Sequence, residues 1–151
     1  MRAITADEVE AFRSSYLSGG YKEDTIALRH AAVGPDSIIG TYDVVENFLP
    51  STGGFHFTLL LAFVAIAELG IIFGHVDNGL TAKTSEVLLT RLNIRCGRLV
   101  TATTDIPVRL SLTKRIVRDG AAFYWGDIDV YDRAFHGTAA FVLPLIEPEV
   151  K

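Results

Sequence analysis

The feature that most constrains this chain is the run Phe57–Phe73, FTLLLAFVAIAELGIIF, whose single ionisable side chain is Glu68. A segment this apolar has to be a membrane span, a buried strand or a helix enclosed by protein. A span takes about 20 apolar residues, and a carboxylate at its middle is costly in lipid. This run is shorter, carries that carboxylate, and has no flanking cluster of Lys or Arg. A secretory leader would sit at the N-terminus, and a strand usually ends within about 4–8 residues. The remaining choice is a helix roughly 25 Å long at 1.5 Å per residue. It is apolar on every face, so protein is expected to wrap it on most sides. The turn Pro50-Ser51-Thr52-Gly53-Gly54-Phe55-His56 leads into it. One imidazole therefore stands at the mouth of the segment and one carboxylate inside it.

The remaining sequence fits one domain over 1–151. The net charge of −4 and the absence of a basic block argue against a nucleic-acid partner. The lone Cys96 leaves no internal disulfide and suits a reducing compartment, so a cytoplasmic location is expected. The sequence holds no CxxC, no HExxH and no glycine-rich phosphate loop. No metal, no cofactor and no membrane span are expected.

Thr5 and Glu8 have the spacing of a capping box, which predicts an N-terminal helix within 1–20, ended by Gly19-Gly20. Thr25–Val33 and Ser37–Glu46, joined by Gly34-Pro35-Asp36, predict a hairpin over 25–46. The central helix is expected over 57–74, stopped by Gly74 and Asp77-Asn78-Gly79. A strand meander is expected over 84–144. Its strands begin at Ser85–Cys96, continue through the alternation of Ile106, Val108, Leu110 and Leu112, and turn at Asp119-Gly120. Ala121–Tyr131, bent at Gly126, and Thr138–Leu143 complete it, with Pro144 and Pro148 ending the ordered chain. A hairpin, one long apolar helix and about four further strands make an α+β fold. A curled antiparallel sheet wrapped around one long apolar helix is the hotdog architecture.

Over Ile39–Phe73 the sequence resembles the FcoT-like branch of the hotdog superfamily. The resemblance rests on Val45-Glu46-Asn47, then Ser51-Thr52-Gly53, then His56 and the apolar helix. That branch carries Ser-Thr-Gly-His-Phe before its helix. Here the order is Ser51-Thr52-Gly53-Gly54-Phe55-His56-Phe57, with extra residues between the glycine and the histidine. Members of the branch resemble two kinds of enzyme. Some are long-chain acyl thioesterases. Others add glycine across the double bond of a 2-enoyl thioester on an acyl carrier protein, making β-amino acids for polyketide and lipopeptide biosynthesis. The tyrosine and asparagine tied to hydrolysis fall near Phe48-Leu49 and near Ala65 or Ala67, which favours addition. A second likeness is to hotdog dehydratases, which also place a His before the helix and an acid within it.

The resemblance implies an acyl carrier protein or CoA thioester as substrate, glycine as co-substrate, and a homodimer or larger assembly. An amine attacking the β-carbon sends charge onto the thioester oxygen. Backbone N–H groups of Gly53, Gly54 and the first helical turn could stabilise it. His56 or Glu68 could take the ammonium proton and return it to the α-carbon. Ser51, Thr52 and Asn47 are expected beside the substrate, Tyr42 along an acyl tunnel, and Arg95 at the glycine carboxylate. Arg91, Arg95, Arg98, Lys114, Arg115 and Arg118 could receive an acidic carrier protein. Hydrolysis by the same groups, and acyl binding without catalysis, are the alternatives.

Overall fold

The protein is described by a computed structural model, covering residues 2–50 and 53–145. Ser51 and Thr52, expected beside the substrate, lie outside the described residues, as does Pro148.

The capping box forms. The Glu8 N–H donates to Thr5 Oγ1 at 3.3 Å and the Thr5 N–H to Glu8 Oε2 at 2.9 Å. It starts α1, Ala6–Ala11, which ends earlier than expected. Ser14 accepts from the Leu17 N–H and starts a separate turn, α2, Ser15–Ser18, which closes at Gly19. The single N-terminal helix expected from the sequence is thus two short pieces. A second N-cap serine offers the backbone a fresh start, and Phe12 stays exposed with nothing to pack against.

The hairpin of β1, Thr25–Val33, and β2, Ser37–Glu46, has the expected bounds. The central helix, α3, runs Leu59–Asp77. It starts two residues later than expected because Thr58 is the N-cap, its Oγ1 accepting from the Leu61 N–H at 3.3 Å. It passes through Gly74 because its last turn is held from the sheet. Tyr124 donates to Asp77 Oδ2 at 2.7 Å, Arg115 pairs with Asp77, and Asn78 Nδ2 donates to the Gly74 carbonyl at 2.7 Å.

Four strands follow: β3, Leu88–Cys96; β4, Ile106–Arg118; β5, Ala121–Val130; and β6, Phe135–Pro144. Asp119 and Gly120 take positive φ of 50° and 74° in the β4–β5 turn. The sheet is antiparallel throughout, in the order β1-β2-β4-β5-β6-β3. Only β4, β5 and β6 form a meander. The expected place of β3 at its head is corrected, because β4 takes the free edge of β2 and β3 crosses to pair with β6. That puts Leu92 opposite Ala139 and Leu89 opposite Phe141, extending the apolar face. The segment 84–87 is a loop rather than strand. The bend expected at Gly126 is a bulge in the neighbouring strand. The register slips between Leu112 and Lys114, and a Cβ on Gly126 would meet the Ser111 carbonyl at 2.7 Å.

The inner face of the sheet carries Ile38, Tyr42, Ile106, Leu110, Tyr124 and Phe141, packed on Ala62, Ala65, Ile66, Leu69 and Phe73 of α3. The fold is the hotdog. One expectation fails at this level, because the sheet of one chain covers one side of the helix only. Leu60, Phe63 and Val64 remain 46 %, 41 % and 48 % exposed. By length and composition α3 could cross a membrane, yet half of its apolar window is buried in the chain.

Gly137 controls the pairing of β3 with β6, since a Cβ there would stand 1.9 Å from the Asn93 carbonyl oxygen. Gly137→Ala is expected to cost about 3 kcal/mol, at the upper end of overpacking penalties. Gly54→Ala, in open space, should stay within about 0.5 kcal/mol. Urea unfolding of both variants against wild type checks the contrast.

Candidate functional site

The N-terminal end of α3 opens into a groove of about 340 Å³ whose lining includes His56, Thr58, Leu60, Cys96, Arg98 and Tyr16. Its position follows from local chemistry. Phe57 is buried against Phe135, ring centroids 6.0 Å apart, and its N–H donates to the Val100 carbonyl at 2.7 Å. Those contacts fix the chain just before the helix and leave the flanking His56 exposed in the groove wall. Thr58 caps the start of the helix, and Tyr16 of α2 donates to Thr58 Oγ1 at 3.1 Å. Burial raises the Tyr16 hydroxyl above its usual value, the Thr58 contact partly opposing it. The Leu61 and Ala62 N–H groups are taken by Thr58. Those of Leu59 and Leu60 find no partner among the described residues. Leu59 and Leu60 both line the groove, so the positive end of a long helix lies beside it.

The cation here is Arg98. Its Nη2 donates to the carbonyls of Tyr131 and Asp132 at 2.8 and 3.0 Å, and its guanidinium lies 5.5 Å from the Tyr131 ring centre. It braces an unusual turn. Tyr131, Asp132 and Arg133 hold φ of 50°, 51° and 60°, a left-handed path costing non-glycine residues about 1–3 kcal/mol each. The Asp129 carboxylate accepting from the Arg133 N–H at 2.8 Å shares the restraint.

Glu68 lies elsewhere. It is half-buried on α3, ten positions past the N-cap and so roughly 15 Å along the axis. It lines neither the groove nor the apolar hollows farther along the helix. Its neighbour is Tyr42, fully buried, whose hydroxyl donates to the Ala65 carbonyl at 3.1 Å. Burial, with the Glu68 carboxylate next, pushes the Tyr42 hydroxyl well above its usual value. Tyr42 thus stays protonated and serves as a donor. The apolar flank Leu60, Phe63, Val64, Ala67 and Ile71 runs between the two places at helical spacing.

The structure thus brings Tyr42 to Glu68 and His56 to the helix N-terminus, but does not join the two pairs within one chain. Gly53 and Gly54 are exposed with open space about them, and neither they nor Asn47 lines the groove. Arg95 stands opposite His136, while Cys96, the next residue, turns into the groove. The alternation of β3 puts Arg98, just past the strand, where Arg95 had been expected. Thr58 went unread in the sequence because it was counted inside the apolar run. A threonine directly before leucines is the N-cap signal that could have found it.

No protein-family model and no curated protein matches this chain. Several solved structures resemble it, two of them as follows. One is a thioesterase from Haemophilus influenzae, with a TM-score of 0.47, 17 % identity, and coverage of 98 % of this chain and 96 % of that one. The other is zebra fish thioesterase superfamily member 2, with a TM-score of 0.48, 11 % identity, and coverage of 93 % and 99 %.

The tyrosine has a pH signature. Its hydroxyl titrates higher in the folded chain than the usual value near 10, so its contribution is intact below pH 10 and is lost as pH rises beyond it. Urea midpoints measured upward from about pH 9 should fall, and Tyr42→Phe should flatten that fall. Tyr124, raised in the same direction by burial and then by Asp77, and Tyr16 contribute to the rest of the fall.

Proposed function

We propose that this protein acts on an acyl thioester, with the thioester head in the groove at the start of α3 and the acyl chain along its uncovered flank. The observation that carries this reading is the join between the two. Leu59 and Leu60 of the first helical turn, His56 and Arg98 line one groove, and Leu60 also begins the apolar stripe. A polar head with a developing oxyanion, attached to a long apolar tail, is the ligand that uses both.

The specific reaction proposed is addition of glycine to a 2-enoyl thioester. His56 takes a proton from the glycine ammonium, and the free amine attacks the β-carbon. The π electrons move through the α-carbon to the thioester oxygen, where the open helix N–H groups stabilise the charge. The proton then returns to the α-carbon. One C–N bond forms, one C–C π bond is lost, and no oxidant is needed. The free edge of the Arg98 guanidinium suits the glycine carboxylate. Hydrolysis would use the same groove with water as nucleophile and would release the free acid.

Glu68 enters through a second copy of the chain. The stripe Leu60–Ile71 is an apolar patch of the kind that marks an interface, and β3 is an edge strand able to pair with its counterpart. A homodimer covering the stripe would bring the groove of one copy to the Glu68–Tyr42 flank of the other. Arg91 and Arg95 lie on β3 and Arg98 just past its end, and we propose that they meet an acidic carrier protein or the phosphates of CoA.

Mass spectrometry of an enoyl-loaded carrier protein or enoyl-CoA, with and without glycine, tests the reaction. A glycine-dependent mass gain is expected. Glycine-independent acid release would replace addition by hydrolysis, and no change would remove the enzymatic reading. His56→Ala and Glu68→Gln should each lower turnover at least ~100-fold, the usual size of a lost acid–base group. Mixed after unfolding and refolding together, the two variants should regain activity, because a mixed dimer holds one intact site. Failure to regain it would confine the chemistry to one copy.

A further inference from the structure

The C-terminal half of α3 borders two apolar hollows that the groove chemistry leaves unused. One, of about 220 Å³, lies between Ile71, Ile72 and Val76 of the helix and Leu80, Thr81 and Ala82 of the segment leading to β3. The other, about 30 Å³, is lined by Ala67, Gly70, Ile71, Leu110 and Phe141 among others. Ile71 borders both, and Ala67 and Ile71 are also the last residues of the stripe that begins at Leu60. One apolar path therefore leads from the groove, down the flank of α3, into the hollows.

The wall of the larger hollow is tied to a single residue. The N–H groups of Asn78 and Leu80 donate to the His75 carbonyl at 3.2 and 2.9 Å, and the Thr84 N–H donates to His75 Nε2 at 3.1 Å. His75 is 5 % exposed, and its Nδ1 lies 2.8 Å from the Ile71 carbonyl oxygen. A carbonyl only accepts, so Nδ1 carries the proton and Nε2 presents a lone pair to Thr84. One neutral tautomer satisfies both contacts. A second proton would set a donor against a donor and break the Thr84 bond. The charged groups around the ring are already engaged. Lys83 in the wall pairs with Glu86, and Asp77 pairs with Arg115 and Tyr124. From the sheet side the smaller hollow receives Leu89, Leu110 and Phe141, all apolar.

We propose that these hollows receive the far end of an aliphatic chain, and that the hydrogen bond from Thr84 to His75 is the latch holding their wall closed over it. This rests on the acyl-thioester reading for the chain's origin, and it adds where the chain ends and what governs its release. The lining is apolar, so affinity should grow with chain length by roughly fourfold per buried methylene until the hollow is full. Uptake of a proton by His75 opens the wall and weakens the hold on long chains, while short chains, which do not reach it, are indifferent.

Calorimetric titration of the intact protein with uncharged n-alkanols, from hexan-1-ol to dodecan-1-ol, tests this at about pH 7.5 and about pH 5.5. Affinity should rise with length. Ala82→Trp, a substitution in the exposed wall that fills the larger hollow, should weaken dodecan-1-ol at least tenfold and leave hexan-1-ol unchanged. The lower pH should weaken dodecan-1-ol severalfold in wild type and have no effect in His75→Phe. The Thr84 amide, referenced to that of Leu80, should lose protection from hydrogen exchange over the same pH range. Length-independent binding, or long-chain binding untouched by Ala82→Trp, would overturn the hollow as a chain site. Equal affinity at both pH values in wild type would overturn the latch. Acyl-thioester turnover is measured separately. Alkanol binding with these dependences but no turnover supports the inference and removes the reaction. Turnover whose length profile ignores Ala82→Trp does the reverse.

Discussion

The structure depends on the contact between α3 and the inner face of the sheet, and that contact can satisfy one side of the helix only. Ala62, Ala65 and Gly70 keep the helix close to the strands, and Leu69 and Phe73 fill the space between. Leu60, Phe63 and Val64 point the other way and are as apolar as the buried face. A helix hydrophobic all round needs a second apolar surface. The proposals for a partner copy, for an acyl chain along the flank and for the distal hollows each supply part of it.

Polar groups are placed at the ends of this helix and are almost excluded from its middle. At the start, Thr58 takes two of the free N–H groups, and the first turn lines the groove together with His56. At the finish, Asp77, Arg115, Tyr124 and Asn78 fasten the last turn to the sheet, and His75 fastens the loop that follows. Glu68 is the exception in the middle, and it has the Tyr42 hydroxyl as neighbour. The rigid middle and the two polar ends let one element position a reactive head and a passive tail.

Much of the fold was legible because it is written in local patterns. The capping box, the Gly34-Pro35-Asp36 hairpin, the Asp119-Gly120 turn and the alternation in β4 are signals within a few residues. The place of β3 was not legible, since its partner β6 is chosen by which edge β4 leaves open, a matter of tertiary packing. The last turn of α3 was missed for a similar reason, because residues more than thirty positions away override the breaking tendency of Gly74. Of the site, His56 and Glu68 stood out as polar groups against an apolar run, but their separation is set by helix length and sidedness. Which of Arg95 and Arg98 reaches the groove is decided by strand alternation and a left-handed turn, and Thr58 was hidden by its place beside leucines.

Groove and apolar flank are proposed to serve one ligand. Titrating the protein with a thioether analogue of a long-chain acyl-CoA, which cannot be cleaved, while following side-chain methyl and histidine resonances tests it most directly. His56, Leu60, Val64, Ala67 and Ile71 are expected to respond together as one saturable event. Response confined to the outer face of the sheet, or separate responses at His56 and along the helix with different affinities, would contradict it.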